Sequence, residues 1–219
     1  MAQPITELVC ILDRSGSMSG LEADTIGGFN AMINKQKETK GTVLVTTILF
    51  DDTAVMLHDR LSLSHIRPLT KKDYVPGGCT ALLDAVGAAI DRLAIIHAYA
   101  RPEDVPAHTL FVIITDGEEN ASCRYTYADV KRAMKQQQEH GWEFLFLGAN
   151  IDAAETAENL GIDHGHASTY HADSIGTRLN FHVLDKIIHH FRKSGEIQDD
   201  CFASIDEDFE SRKSGSQPK

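Results

Sequence analysis

Oxygen-bearing side chains cluster at three places in the chain where an apolar run ends or a helical pattern begins. Asp13, Ser15 and Ser17 follow the first apolar run, and Asp116 follows the most hydrophobic one. Thr80 closes a Pro-Gly-Gly-Cys-Thr stretch that leads into a helical pattern. Ligands of open α/β sheets bind beyond the carboxyl ends of the strands, near the point where the strand order reverses. We therefore expect these two carboxylates and three hydroxyls to meet at one edge of a sheet.

All of these donors are oxygen atoms, which select a hard cation such as Mg²⁺ over zinc or copper. Hydroxyls are neutral, so a site with several hydroxyls and few protein anions would leave its metal short of negative charge. The pattern therefore predicts a metal site that attracts a carboxylate from outside the chain. The competing interpretation is a set of ordinary turn residues, because Asp, Ser, Gly and Thr also populate βα turns.

The elements that must position these residues alternate between strand and helix along most of the chain. Apolar and β-branched runs predict strands over residues 7–12, 42–50, 54–57, 109–115 and 142–147. Helical spacing of apolar residues and suitable end residues predict helices over residues 21–37, 82–96, 126–140, 153–160 and 179–191. This alternation predicts an α/β fold with a mostly parallel sheet and helices on both faces, in which residues 54–57 form an antiparallel edge strand.

In chain order, the pattern Asp13-x-Ser15-x-Ser17, then Thr80, then Asp116 resembles the metal-ion-dependent adhesion site of von Willebrand factor A (VWA) domains. The resemblance covers roughly residues 5–193. It implies a Rossmann-like, six-stranded sheet and a bound Mg²⁺ or Mn²⁺. It also implies that Ser15, Ser17 and Thr80 coordinate the metal directly, whereas Asp13 and Asp116 act mainly through water. The sixth coordination position would then bind an Asp or Glu of a partner.

The resemblance is to stand-alone intracellular bacterial VWA proteins and implies a protein-interaction module, not an enzyme. The implied partner is a protein that offers an acidic residue, such as an AAA+ ATPase or a multi-protein complex. Two other functions stay open: a metal-dependent hydrolase or phosphotransferase, and a structural subunit whose metal only clamps loops. Phosphoryl chemistry needs a positioned base or nucleophile and usually cationic help. The motifs contribute only Arg14 as a cation.

Composition and charge narrow the classes of partner. The hydrophobic content of 42% and charged content of 24% are typical of a globular protein. A net charge of −11 disfavours nucleic acid and anionic membranes as partners. We expect no membrane span and no signal peptide, because apolar runs are short and the start of the chain is not basic. The scattered cysteines suit a reducing compartment, so the expected location is the cytoplasm.

The end of the chain changes character after the last helical pattern. We expect a VWA domain over residues 1–193 and a flexible acidic tail over residues 194–219, with disorder in the final Ser-Gly-Ser-Gln-Pro-Lys. Carboxylates in this tail alternate with Phe202, Ile205 and Phe209, and one of them could occupy the metal. We favour the alternative, which is a solvated acidic tail or a short amphipathic helix packed on the domain.

Several other polar residues could act at or near the site. Glu118, Glu119 and Asn120 follow Asp116 and could tune or occlude the metal, although a solvated loop is the simpler interpretation. Arg14 could face an acidic partner or solvent. The remaining candidates are histidines, which we expect to form a surface cluster and not a zinc site: His164, His166 and His171.

Overall fold

The structure is a computed structural model and describes residues 4–214. Within these residues the sheet has six strands. The strands are β1 (Ile5–Asp13), β2 (Thr42–Phe50), β3 (Ala54–Ser62), β4 (His108–Thr115), β5 (Trp142–Ala149) and β6 (Ala167–Tyr170). They lie in the order β3-β2-β1-β4-β5-β6. Only β3 runs antiparallel to its neighbour, and it forms one edge. The predicted α/β fold with one antiparallel edge strand is confirmed.

Helices cover both faces of this sheet. They are α1 (Glu22–Glu38), α2 (Leu82–Tyr99), α3 (Tyr127–Gln138), α4 (Ala153–Leu160), α5 (Ser174–Ser194) and α6 (Ala203–Ser214). One buried cluster lies between the sheet and α1, α5 and α6, and the other lies between the sheet and α2, α3 and α4. Within residues 4–214, no helix is long and apolar enough to cross a membrane.

Strand β1 shows why both faces need a cover. Leu8, Cys10 and Leu12 belong to the cluster on the α1 side, whereas Val9 and Ile11 belong to the cluster on the α2 side. Successive side chains of a strand point to opposite faces, so an uninterrupted apolar run is stable only between two layers of helices. The apolar run that ends at Asp13 therefore specifies a central strand.

The strand order reverses between β1 and β4. After β1 the chain adds β2 and β3 on one side, and it then returns to place β4 on the other side of β1. The carboxyl ends of β1 and β4 consequently open onto the crevice in which α/β sheets bind their ligands. Strand β1 ends at Asp13, and β4 ends at Thr115, directly before Asp116.

The chain after residue 193 differs from the flexible tail that we expect from composition. Phe202 and Ile205 are buried in the core cluster on the α1 side, and α6 packs against β6 and α5. Ser168 donates a hydrogen bond to Asp206 over 2.6 Å, and Arg212 forms a salt bridge with Asp173. The apolar residues between the tail carboxylates explain this packing, which matches the helical alternative. The predicted disorder at the very end concerns residues 214–219, which lie outside the described side chains.

Candidate metal centre

Asp13 ties the loop after β1 to the end of β4. One of its carboxylate oxygens accepts a hydrogen bond from the Ser15 amide over 2.6 Å. The other accepts one from the Thr115 hydroxyl, also over 2.6 Å. Asp13 is only 1% exposed, so these two bonds replace the water that a buried carboxylate loses. This carboxylate is therefore held in one orientation beneath the loop.

The two serines of the first loop lie beside the second carboxylate. The hydroxyl oxygens of Ser15 and Ser17 are 3.0 Å apart, and the Ser17 hydroxyl donates a hydrogen bond to Oδ1 of Asp116. Ser15 is buried and Ser17 is exposed. The serines that follow β1 and the aspartate that follows β4 thus meet, as expected from the parallel arrangement of these two strands.

The second cluster, which contains Thr80, is fixed by main-chain hydrogen bonds to the first. The Gly16 amide donates to the Gly78 carbonyl over 3.1 Å, and the Gly77 amide donates to the Arg14 carbonyl over 2.9 Å. Asn120 binds both sides of the Thr80 backbone, because its side chain accepts from the Thr80 amide and its own amide donates to the Thr80 carbonyl.

The absence of a side chain at Gly117 leaves room between the hydroxyls. A Cβ atom at this position would lie 3.3 Å from the Thr80 hydroxyl oxygen and 3.4 Å from that of Ser17. Both hydroxyls therefore face the same small space above the end of β4. All five predicted residues, Asp13, Ser15, Ser17, Thr80 and Asp116, are brought together.

Within this cluster, the carboxyl group of Asp116 has an unusual electrostatic environment. Its Oδ2 atom is buried and has no hydrogen-bond partner among the described residues. Burial and then the negative charge of Asp13 raise the pKa of Asp116 to about 6, although the hydrogen bond from Ser17 acts in the opposite direction. A buried carboxylate oxygen without a donor is stabilised by a proton or by a cation.

The donor set fits a hard divalent cation. It consists of carboxylates and hydroxyls, the ligands that Mg²⁺ and Mn²⁺ accept. Within residues 4–214, no group of three or more His, Cys, Asp or Glu side chains could hold a metal ion. Within the cluster of the five predicted residues, the carboxylates are the buried pair Asp13 and Asp116.

Two neighbouring charged residues, Glu119 and Arg14, are held by other parts of the protein. Glu119 accepts hydrogen bonds from the amides of Leu83 and Ser122, so it fixes the loop to the start of α2 and does not face the cluster. Arg14 is partly exposed and forms a 2.9 Å salt bridge with Asp51.

Two residues that donate hydrogen bonds to the backbone of the cluster were not predicted from the sequence. The Tyr74 hydroxyl donates a hydrogen bond to the Asp13 carbonyl, and burial raises the pKa of this phenol, which keeps it a donor. The Asn150 side chain donates to the Asp116 carbonyl over 3.3 Å. Tyr74 lies in a loop without periodicity and carries no signal. Asn150 follows β5 directly and has a positive φ of 54°, so its place after a strand was the available signal.

The histidines do not converge on a shared site. His166 lies 3.6 Å from the Glu143 carboxylate, whereas the ring of His171 lies 4.7 Å from that of Phe209. Among the residues that the structure describes, no metal-binding group includes them.

The fold is that of a VWA domain, and solved structures with this fold are similar to the chain over most of its length. The vWF domain of the type V pili tip protein Mfa5 from Porphyromonas gingivalis has a TM-score of 0.60 at 12% identity, covering 91% of this chain and 100% of that one. A von Willebrand factor type A protein from Catenulispora acidiphila has a TM-score of 0.56 at 16% identity, covering 85% of this chain and 43% of that one.

A third similar structure is proximal thread matrix protein 1 from the mussel byssus, solved with zinc in its MIDAS motif. Its TM-score is 0.58 at 13% identity, with 85% of this chain and 46% of that chain covered. The chain also spans 63% of the PilB minor pilin from Streptococcus sanguinis. No protein-family model and no curated protein matches the sequence. At these identities the likeness concerns the fold.

Proposed function

We propose that the chain is a protein-interaction module that binds one Mg²⁺ or Mn²⁺ and, through it, an Asp or Glu of a protein partner. In this proposal Ser15, Ser17 and Thr80 bind the metal directly, and Asp13 and Asp116 act through water. The observation that carries it is the convergence of these residues from three loops beside Asp116, whose Oδ2 is buried and has no hydrogen-bond partner in the part of the chain that the structure describes. When bound, the metal would supply a positive charge, and a carboxylate from outside the chain could complete its coordination.

The residues of the proposed site differ in the charge that they bring and in the hydrogen bonds that they already accept. The hydroxyls of Ser15, Ser17 and Thr80 offer lone pairs without adding negative charge. Asp13 already accepts two hydrogen bonds from the protein, so part of its charge is satisfied internally. The donor set consequently favours a further anionic ligand. The zinc in the MIDAS motif of the mussel protein supports a metal at this place in the fold.

Binding is favoured over phosphoryl transfer because of Arg14. A phosphate-transferring site needs cations aimed at the transferred group. Arg14, the cation of the first loop, is directed to Asp51 at 2.9 Å. Partner identity, whether an AAA+ ATPase or a multi-protein complex, rests on the sequence resemblance and stays a prediction. The cytoplasmic location also stays a prediction, since the similar structures include pilus proteins.

The proposal is tested by peptide binding with a matched pair of serine variants. Two fluorescent peptides that differ only in a central Asp or Asn are titrated with the protein in Mg²⁺ and in EDTA, and anisotropy is measured. We expect the Asp peptide to bind in Mg²⁺ only. Ser17→Ala removes a hydroxyl of the cluster and should abolish this binding, whereas Ser19→Ala, an exposed position two residues later, should preserve it.

Equal binding of the Asp and Asn peptides, or equal binding in Mg²⁺ and EDTA, would contradict the proposal. A loss of binding in both serine variants would also contradict it, because it would point to the loop and not to the hydroxyl. Thermal unfolding of each variant in EDTA shows whether the fold is intact.

A further inference from the structure

Four carboxylates lie on the loops around the proposed metal site, and we call them the acidic rim: Asp52, Glu118, Asp152 and Glu155. All four residues are exposed. Asp52 lies in the turn between β2 and β3, and Glu118 lies two residues after Asp116. Asp152 and Glu155 begin α4, directly beyond β5. They therefore share the edge of the sheet at which the strands β1, β4 and β5 end.

Hydrogen bonds place these loops against the metal site. The Asp52 carboxylate accepts from the Cys79 amide over 2.9 Å, next to Thr80. Asn150, which precedes Asp152 by two residues, donates to the Asp116 carbonyl over 3.3 Å. The rim is thus joined to the loops of Thr80 and of Asp116.

Tyr127 adds a partly exposed aromatic ring after the loop that follows β4. This residue begins α3 and is 37% exposed. Burial and then the negative charges of Glu119, Glu118 and Glu155 raise the pKa of its phenol. An exposed aromatic face beside carboxylates is a suitable contact for a Lys or Arg side chain.

Cations are scarce in the same loops. In residues 13–21, 50–54, 75–81, 116–126 and 150–155, all of which the structure describes, the basic residues are Arg14 and Arg124. Arg14 pairs with Asp51 at 2.9 Å, and the guanidinium of Arg124 lies 5.8 Å from the ring centre of Tyr125. The edge of the sheet is therefore negative around a centre that, with metal bound, is locally positive.

This alternation of charge defines the partner more closely. We propose that the acidic residue bound at the metal lies in a basic segment, with Lys or Arg on the residues that flank it, and that these cations contact the acidic rim. The inference rests on the proposed function of the metal site. A carboxylate without such cations meets like charge on the rim, which opposes its approach. Apart from the charges of the rim, the buried Oδ2 of Asp116, which has no hydrogen-bond partner among the described residues, indicates that this edge binds a ligand.

Three peptides with the same central Asp test the inference: one flanked by Lys, one by Ala and one by Glu. Their affinities are measured by anisotropy in Mg²⁺ and in EDTA at low and high salt. We expect the Lys-flanked peptide to bind roughly five- to tenfold more tightly than the Ala-flanked one in Mg²⁺, since each exposed ion pair contributes modestly. This preference should shrink in high salt, which screens exposed charges.

Paired variants locate the effect on the rim. Glu118→Gln with Glu155→Gln should remove most of the preference for Lys. The Lys-flanked peptide should bind more weakly to this double variant, whereas the Ala-flanked peptide should not. Glu103→Gln with Glu139→Gln, both exposed and at the opposite end of the sheet, should leave the preference unchanged.

The outcomes separate this inference from the proposed function. Mg²⁺-dependent binding of all three peptides with equal affinity would overturn the inference that the partner has a basic segment. It would leave the proposal of a metal-dependent interaction module intact. A preference for Lys that is the same in EDTA, or in the opposite-end variant and the rim variant alike, would overturn the role of the rim. No Mg²⁺-dependent binding of any peptide would overturn both proposals.

Discussion

Two neighbouring aspartates in the site have different environments, and this difference assigns their roles. Both oxygens of Asp13 accept hydrogen bonds from the protein, so this residue holds the loops together. Asp116 has one oxygen bound to Ser17 and one without a partner within residues 4–214. Removing Asp13 therefore leaves the buried Ser15 amide without the acceptor that it has in this structure, which costs about 1–3 kcal/mol. Asp116 is the residue at which charge can be altered with less disturbance.

The raised pKa of Asp116 gives a pH dependence to the metal-free protein. Its pKa is about 6 in the folded chain, compared with about 3.9 for an unfolded chain. The folded state thus binds the proton more tightly, and the stability that this contributes is complete below about pH 4 and lost as the pH rises through 6. We predict that, in EDTA, the free energy of unfolding falls by up to roughly 3 kcal/mol over this range because of Asp116.

Urea denaturation of the wild type and of Asp116→Asn measures this effect. Other groups titrate equally in both proteins, so the difference between the two curves reports on Asp116. The difference should change between pH 4 and 7 and be constant above pH 7. Parallel curves for the two proteins throughout this range would show that Asp116 is not electrostatically strained in the metal-free fold.

The loop that presents Thr80 depends on a glycine in an uncommon conformation. Gly78 has a φ of 71°, and a Cβ atom there would lie 2.2 Å from the Asp52 carboxylate. We predict that Gly78→Ala costs at least about 1–2 kcal/mol of stability, because this backbone region is unfavourable for residues with a Cβ. It should also reduce the stabilisation by Mg²⁺, because the loop carries Thr80.

Gly77→Ala is the matched control for this substitution. Gly77 lies next to Gly78 but has no positive φ, and a Cβ atom there meets nothing within 4 Å. Chemical denaturation with and without Mg²⁺ compares the two variants. If Gly77→Ala were as damaging as Gly78→Ala, the conformation of Gly78 would not be what positions Thr80.

The strands and helices that carry the site could be predicted from the sequence because their apolar periodicity is strong. Strand β2 has the predicted bounds, and the helix predicted over residues 126–140 is present as α3, which a capping box at Thr126 precedes. Strand β6 could not be predicted from its own residues, because it is only four residues long and contains Ser168 and Thr169. The burial of Asp13 and Ser15 was equally hidden, since it results from contacts with β4 and with Tyr74 that are distant in sequence.

Helix α6 stabilises the domain through a small apolar face. Ile205 is 1% exposed and packs in the core cluster with α1 and α5. We predict that Ile205→Ala lowers the free energy of unfolding by about 2–5 kcal/mol, as expected for loss of a buried aliphatic side chain. Ser204→Ala, at the exposed neighbouring position, should have little effect in the same denaturation experiment. Equal stability of both variants would show that α6 does not pack on the domain in solution.

At the scale of the whole molecule, the sheet acts as a frame that joins residues separated by about a hundred positions. Ser17 and Asp116 are 99 residues apart in the chain and are joined by a hydrogen bond. Parallel pairing of β1 with both β2 and β4 brings the ends of these strands to the same edge. The cluster therefore exists only in the folded state, and a ligand bound there must stabilise the entire fold.

Anomalous X-ray diffraction from crystals grown with Mn²⁺ tests the central claim most directly. A difference map calculated at a wavelength at which manganese scatters anomalously locates the ion without reference to any assumed ligand. We predict one strong peak among the side-chain oxygens of Asp13, Ser15, Ser17, Thr80 and Asp116, and no such peak in crystals of Ser17→Ala grown under the same conditions. Absence of a peak at this place in the wild type, or a strong peak elsewhere only, would contradict the assignment of this cluster as the metal site.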